Sequence, residues 1–233
     1  GAGHAVHVAV ELARLSEIAV IGRVGRADRA ACIARRRLYP DAVEHLLAPQ
    51  LAIGDAVQRH AAGEAKIQLM EAHRVGNPLD KNTDIGAINS SAQLQKIREL
   101  VQSGVDEGGE LVQAQCALPS KGYWFAPSFL TNVTMSHRVA QEEIFGPVLS
   151  VMTFRTPEEA FERANNIPYC LSAGVWTDKG SKIFKMVNKL RAGVIWANTY
   201  NKFDPASPFG GYKESGFGRE GGLHGLAAYC RVI

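Results

Sequence analysis

Apolar and polar positions change spacing repeatedly through the second half of the chain, and these changes predict strands and helices in alternation. The apolar run 148–154 predicts a strand. Residues 156–165 predict a helix, because Pro157 suits a first helical turn and the acids after it suit the positive end of the helix dipole. A strand at 172–177, a helix at 182–190 and a strand at 193–198 follow. This alternation is typical of a parallel sheet with helices packed on it, so the predicted fold class is α/β.

Three further elements are predicted upstream of these. Ser90 or Ser91 can cap a helix whose apolar positions keep helical spacing until Gly108 and Gly109 end it. Residues 123–133 alternate aromatic and small side chains around a proline, as an edge strand or extended segment does. Residues 1–22 mix alternating with helical spacing, and we interpret them as a helix.

Composition excludes several classes of partner. The chain has 233 residues, of which 46% are hydrophobic and 21% charged, as in ordinary soluble globular proteins. A net charge of +3 is too small to indicate a nucleic-acid or membrane partner, and no apolar run has membrane-spanning length. Arginines crowd residues 23–37, which predicts a solvated face rather than a nucleic-acid patch. With no signal-peptide pattern at the N-terminus, a cytoplasmic protein is expected.

The four cysteines are scattered, without CxxC spacing or nearby histidines at ligand intervals. This pattern argues against a structural metal site and against a disulfide framework, and it favours a reducing compartment. Any one of these cysteines could still be a reactive thiol.

Residues 141–148, QEEIFGPV, form the first stretch with candidate chemistry. Glu142 and Glu143 are adjacent, so only one of them can face a given site. Phe145 follows, and Gly146 with Pro147 predicts a turn before the strand. A carboxylate beside an aromatic ring at a strand entrance can accept hydrogen bonds from vicinal hydroxyls, as the acidic residue of a dinucleotide site does. The alternative is a solvated acid pair, and the residues alone leave both open.

Residues 207–220, SPFGGYKESGFGRE, form the second stretch. Its glycines allow a tight backbone path, and Phe209 and its other aromatics can line a substrate entrance. Lys213 and Arg219 are expected to be structural ion-pair partners rather than catalysts. Asn198 lies just after a predicted strand, where a ligand-binding loop begins, although a turn asparagine is equally consistent with this place.

These stretches, with RVGNPLDKNTDIGAI from Arg74, ERANNIPYCLSAGVWT at 162–177 and GVIWANTY at 193–200, resemble the C-terminal, catalytic and oligomerisation half of the aldehyde dehydrogenase superfamily. Several long motifs in the family's order are more specific than one glycine-rich loop. The resemblance divides the chain into a divergent part, 1–73, and a catalytic domain with a C-terminal tail, 74–233. It also implies an incomplete fold, with the nucleotide-binding domain and the general-base glutamate upstream of Gly1.

Cys32 lies in AACIARRRLY, which partly resembles the motif of the family's nucleophilic cysteine. Arg35 and Arg36 stand where that motif has Gly and Ser, and Arg29 with Ala30 replaces a Gly-Gln pair. Flanking guanidinium groups favour the thiolate, the form that a nucleophile requires. A buried structural cysteine is the alternative.

The resemblance implies oxidation of an aldehyde by NAD or NADP through a thioester on Cys32. Glu143 would hold the nicotinamide ribose with Phe145 packed beside it, and Asn198 and Phe209 would border the substrate cleft. No metal is expected, and the tail 223–233 would form homo-oligomers. Two alternatives remain, an inactive scaffold or assembly partner and a cofactor-free thiol esterase. The aldehyde and the choice between NAD and NADP are left open.

Overall fold

A computed structural model describes residues 7–12, 16–21, 70–71, 73–154, 156–176, 179–199 and 202–231. The described strands are β1 His7–Leu12, β2 Ser16–Ile21, β3 Glu110–Gln113, β4 Ser128–Thr131, β5 Val148–Thr153, β6 Tyr169–Cys170, β7 Ser172–Trp176, β8 Val194–Ala197 and β9 Tyr212–Lys213. The described α-helices are α1 Ser91–Asp106, α2 Pro157–Asn165, α3 Gly180–Lys189 and α4 Gly222–Ala227. A short 3-10 helix, Arg138–Ala140, precedes β5.

The main sheet has the strand order β3-β4-β5-β2-β1-β7-β8. Strand β5 pairs in parallel with β2 and β4, and β7 pairs in parallel with β8. The predicted α/β class is confirmed, because strands and helices alternate from β5 to β8. The sheet is mixed rather than wholly parallel. Strands β1 and β2 are separated by only three residues, and so short a connection can join antiparallel strands only.

The helix predicted for residues 1–22 is wrong where the structure describes that segment. Strands β1 and β2 pair antiparallel, with Val8 opposite Val20 and Val10 opposite Ile18. The alternate spacing of the apolar residues in each half is the period of a strand, and it determines the structure here. Strand β1 also pairs antiparallel with β7, which joins the two parts of the sheet.

The predicted starts of α1 and α2 are confirmed. The Ser90 hydroxyl accepts a hydrogen bond from Gln93 N at 3.1 Å, which caps α1. The Thr156 hydroxyl accepts one from Glu159 N at 3.2 Å and caps α2 in the same way. At the far end of α1 the chain turns at Gly108, whose φ is +101°.

Strand β4 corrects the prediction of an edge or extended segment. It lies between β3 and β5, and its Phe129 and Leu130 are buried. Pro127 comes just before the first paired residue, so its missing N–H removes no ladder hydrogen bond, and its carbonyl accepts from Ala114 N. The edge position is taken by β3, which the sequence pattern did not reveal.

Two apolar clusters cover the faces of the sheet. Met152 of β5 packs with α1 and α3 on one side, while Leu149 and Val151 pack with Trp196 on the other. Strand β5 is buried on both faces, which explains why apolar residues occupy both of its alternating sets of positions. At the C-terminal end, helix α4 is followed by a turn and irregular chain as far as Arg231. None of the described helices is long and apolar enough to cross a bilayer.

Candidate active site

The two adjacent acids of QEEIFGPV have different partners. Both carboxylate oxygens of Glu142 accept hydrogen bonds from the Arg138 guanidinium, at 2.8 and 3.0 Å. The backbone N–H of Arg138 in turn donates to Glu107 at 2.8 Å. Arg138 lies one helical turn before Glu142, and the fork of its guanidinium matches a carboxylate. Glu142 is therefore committed to an ion pair on the surface.

Arg138 holds the pKa of the Glu142 carboxyl below its ordinary value of 4.5, mainly through their hydrogen bonds. A depressed folded-state pKa stabilises the fold above the ordinary value, and that stabilisation is lost as the pH falls through the folded-state pKa. The Glu142→Gln variant should therefore melt slightly below wild type at pH 7, with the two melting temperatures converging in acid. The difference in melting temperature is small because the side chains of Arg138 and Glu142 are both about half exposed. A pH-independent difference in melting temperature would contradict this assignment.

Glu143 faces the other way. Its Oε1 atom is shielded from solvent, and the next residue, Ile144, is 1% exposed. Its backbone N–H donates to the hydroxyl of Tyr169. Which of the two acids points inward could not be derived from the sequence, because it depends on Arg138 and Tyr169.

Phe145 is held in an unusual backbone conformation. Its φ is +60°, in the left-handed region that bulky residues rarely adopt. The Gln93 side-chain amide donates to the carbonyl oxygens of Ile144 and Phe145, at 3.0 and 3.2 Å. Gly146 then passes so close to Ile97 of α1 that an added Cβ would lie 2.6 Å from its side chain. Strain held by surrounding structure is typical of ligand-binding turns, and this turn leaves the Phe145 ring 37% exposed.

The segment 207–220, here called the glycine-aromatic segment, is pressed against the start of β8. A Cβ on Gly193 would lie 1.7 Å from the Gly210 carbonyl oxygen. Lys213 and Arg219 are structural, as predicted, but their described partners are carbonyl oxygens rather than carboxylates. The Lys213 ammonium donates to two carbonyls of the turn before β6, and the Arg219 guanidinium donates to Gly211 O while stacking on the Tyr212 ring.

Asn198 and Phe209 belong to a second group of residues near the carboxyl end of β8. Asn198 is exposed, has φ +54°, and donates its N–H to Val175 O. Phe209 packs edge to face on Phe203 at 4.9 Å, and Phe203 packs in the same way on Trp196 at 5.5 Å. Phe203 was missed in the sequence, where it stands alone in a polar run. Its ring is 56% exposed and extends the aromatic wall that Phe209 was predicted to form.

The predicted site residues lie in two places. Glu143 and Phe145 precede β5, at the amino end of the parallel strands, whereas Asn198 follows β8 at their carboxyl end. Strands β2, β1 and β7 separate β5 from β8 in the sheet. Cys32 lies outside the described residues. The structure therefore does not bring Glu143 and Asn198 together, and the roles predicted for these residues and for Cys32 stay predictions.

Comparison with known proteins gives one family. The sequence model of the Aldehyde dehydrogenase family matches residues 56–233, so the match begins before Arg74. An aldehyde dehydrogenase of Enchytraeus buchholzi is 44% identical over 71% of this chain, which covers 33% of that protein. The cytosolic 10-formyltetrahydrofolate dehydrogenase of Xenopus tropicalis is 38% identical over 86% of this chain and 21% of its own length.

The structure gives the same result. A NAD-dependent aldehyde dehydrogenase from Sinorhizobium meliloti superposes with a TM-score of 0.69 at 36% identity, covering 75% of this chain and 35% of that one. The chain thus spans a third or less of the length of the curated relatives described above.

Proposed function

The chain belongs to the aldehyde dehydrogenase family, and we propose that it carries the catalytic part of a longer enzyme that oxidises an aldehyde to a carboxylic acid with NAD or NADP. The observation that carries the proposal is that the two adjacent acids, Glu142 and Glu143, have different surroundings. Glu142 is bound to Arg138, while the Oε1 atom of Glu143 is shielded from solvent and Phe145, two residues on, is exposed.

The described residues fit a nicotinamide cofactor at this turn. A carboxylate accepts hydrogen bonds from the two hydroxyls of a ribose, and Glu143 provides a carboxylate at this turn. The Phe145 ring, held out by its left-handed backbone, offers an apolar face for a flat heterocycle. When bound, the cofactor would accept a hydride from the substrate carbon. The NAD-dependence stated for the Sinorhizobium meliloti protein supports this choice of cofactor class.

Cys32 is the proposed nucleophile. Its thiolate would attack the aldehyde carbon and form a C–S bond, and loss of a hydride from that carbon would leave a thioester. Hydrolysis would then break the C–S bond, release the carboxylic acid and return the thiol. The arginines beside Cys32 support this role, because positive charge stabilises a thiolate.

The outer part of the substrate cleft, which would hold the body of the aldehyde rather than its reacting carbon, is proposed at the carboxyl end of β8. Phe203 and Phe209 offer an apolar wall backed by buried Trp196, and Asn198 adds a polar side chain at the adjoining turn. This lining suits an aldehyde with an apolar body. In the same chain, the exposed apolar side chains of the C-terminal tail support the proposed homo-oligomer; they include Leu223, Leu226 and Tyr229.

Matched variants of the two acids test the proposal. Glu143→Gln removes the charge that receives the ribose hydroxyls and should raise the dissociation constant for NAD or NADP about 10- to 100-fold, as expected for hydrogen bonds to a charged group. Glu142→Gln, its neighbour, should leave that constant within about twofold, since its partner is Arg138. Isothermal titration calorimetry with the oxidised cofactor measures both dissociation constants. Equal losses in the two variants would refute the assignment of Glu143.

Activity measurements separate the alternatives. The proposed enzyme forms NADH or NADPH from an aldehyde when the upstream part of the longer protein is supplied, and it loses this activity on thiol alkylation. A thiol esterase would hydrolyse an activated ester without cofactor and would also be blocked by alkylation. An inactive scaffold would do neither.

A further inference from the structure

Tyr169 lies between the two loops that carry the candidate chemistry. It is the first residue of β6, and it pairs with Lys213 of the glycine-aromatic segment. Its ring is partly buried and packs against the main apolar cluster. The aldehyde chemistry described above gives this side chain no role.

The glycine-aromatic segment determines where Tyr169 lies. The Lys213 ammonium donates to Asn165 O at 3.0 Å and Ile167 O at 2.8 Å, in the turn that leads into β6. On the other side of Tyr169, Cys170 N donates to the Ser215 hydroxyl at 3.0 Å. These contacts enclose Tyr169 from before and after, so a shift of the segment would shift its ring.

The acidic turn is attached to the other side of Tyr169. The Glu143 N–H donates to the Tyr169 hydroxyl oxygen, and the Gln141 side-chain amide donates to Asn166 O at 3.3 Å. Burial raises the pKa of the Tyr169 hydroxyl, and the carboxylates of Glu143 and Glu214 raise it further. The hydroxyl therefore stays neutral at physiological pH and places no second negative charge beside Glu143.

We propose that Tyr169 is a positioning residue. Its hydroxyl holds the backbone of Glu143, so a shift of the glycine-aromatic segment would change the direction of the Glu143 carboxylate. Gln93 of α1 donates to the carbonyl oxygens of Ile144 and Phe145, which attaches that part of the turn to α1. The N–H of Glu143 attaches the preceding residue to Tyr169 of β6. The inference rests on the proposed function, since it assigns Tyr169 to the cofactor side of that reaction.

Tyr169→Phe removes the hydroxyl and keeps the ring. Loss of one hydrogen bond should speed amide exchange of Glu143, followed by NMR, about 2- to 10-fold, and raise the cofactor KM by a similar factor. The kcat should stay within about twofold, because Tyr169 touches no reacting atom. Tyr123→Phe changes a tyrosine that is 43% exposed and should alter neither exchange nor KM.

Lys213→Met tests the link to the segment. This variant removes the ammonium that holds the turn before β6 and leaves Tyr169 unchanged. It should therefore speed amide exchange of Glu143 and raise the cofactor KM, as Tyr169→Phe does. A normal exchange rate in Tyr169→Phe would overturn the proposal, and so would fast exchange with an unchanged KM. A normal exchange rate of the Glu143 amide in Lys213→Met would overturn the proposed dependence of Glu143 on the glycine-aromatic segment. If the longer enzyme that contains this chain binds no cofactor, the proposed function fails, and the exchange rates alone decide whether Tyr169 holds Glu143.

Discussion

Replacing Cys32 by alanine is expected to lower aldehyde-dependent NADH formation by a factor of at least about 10³, because loss of an enzyme's nucleophile removes the covalent route altogether. The arginines on both sides of Cys32 would hold its thiol as thiolate near neutral pH. The rate of NADH appearance at saturating aldehyde, compared with wild type, measures the loss.

A second cysteine provides the control. Cys230 is exposed and is a free thiol in the C-terminal tail, so alkylating reagents will also reach it. Cys230→Ala should keep wild-type activity and keep its sensitivity to alkylation, whereas Cys32→Ala should have neither. Equal activity in wild type and Cys32→Ala would remove Cys32 from the reaction.

Gly193→Ala is expected to have the largest effect on stability. Its new Cβ would lie 1.7 Å from Gly210 O and 3.0 Å from Leu171 O. Both are backbone atoms, which cannot rotate away as a side chain can, so the glycine-aromatic segment must separate from β8. We expect a loss of about 3–5 kcal/mol in the free energy of unfolding and a fall of roughly 10 °C in melting temperature.

Gly218→Ala is the matched control for this prediction. Gly218 is exposed in the same segment, and a Cβ there would meet nothing within 4 Å. Its melting temperature should stay within about 2 °C of wild type, since surface substitutions usually change stability by less than about 0.5 kcal/mol. Equal melting temperatures of the two variants would contradict the close contact between Gly193 and Gly210.

Features that depend on neighbouring residues in the chain were predictable from the sequence. Ser90 and Thr156 cap the helices that they precede, because a hydroxyl reaches the N–H three residues on without help from the rest of the fold. The strands after them follow from apolar runs of strand length. The N-terminal segment was misjudged because its apolar residues fit two periods at once.

Features that depend on distant residues were not predictable. The Glu143 N–H donates to the hydroxyl of Tyr169 in β6, which no pattern of neighbouring residues predicts. Phe203 joins the aromatic wall through a loop that returns to Trp196, whose ring N–H donates to Lys202 O. The left-handed backbone of Phe145 depends on Gln93 in the same way. The resemblance to a known family supplied the candidate residues, and tertiary contacts show how the described ones are held.

The most direct measurement is to find which residue carries the substrate during the reaction. The longer enzyme that contains this chain would be mixed with an aldehyde and oxidised cofactor, quenched in acid and digested, and the four cysteines of this chain mapped by mass spectrometry. We expect an acyl group on Cys32 that appears only when cofactor is present, because a thioester requires loss of a hydride. An acyl group on Cys116, Cys170 or Cys230 instead, or none at all while NADH accumulates, would contradict the proposed chemistry.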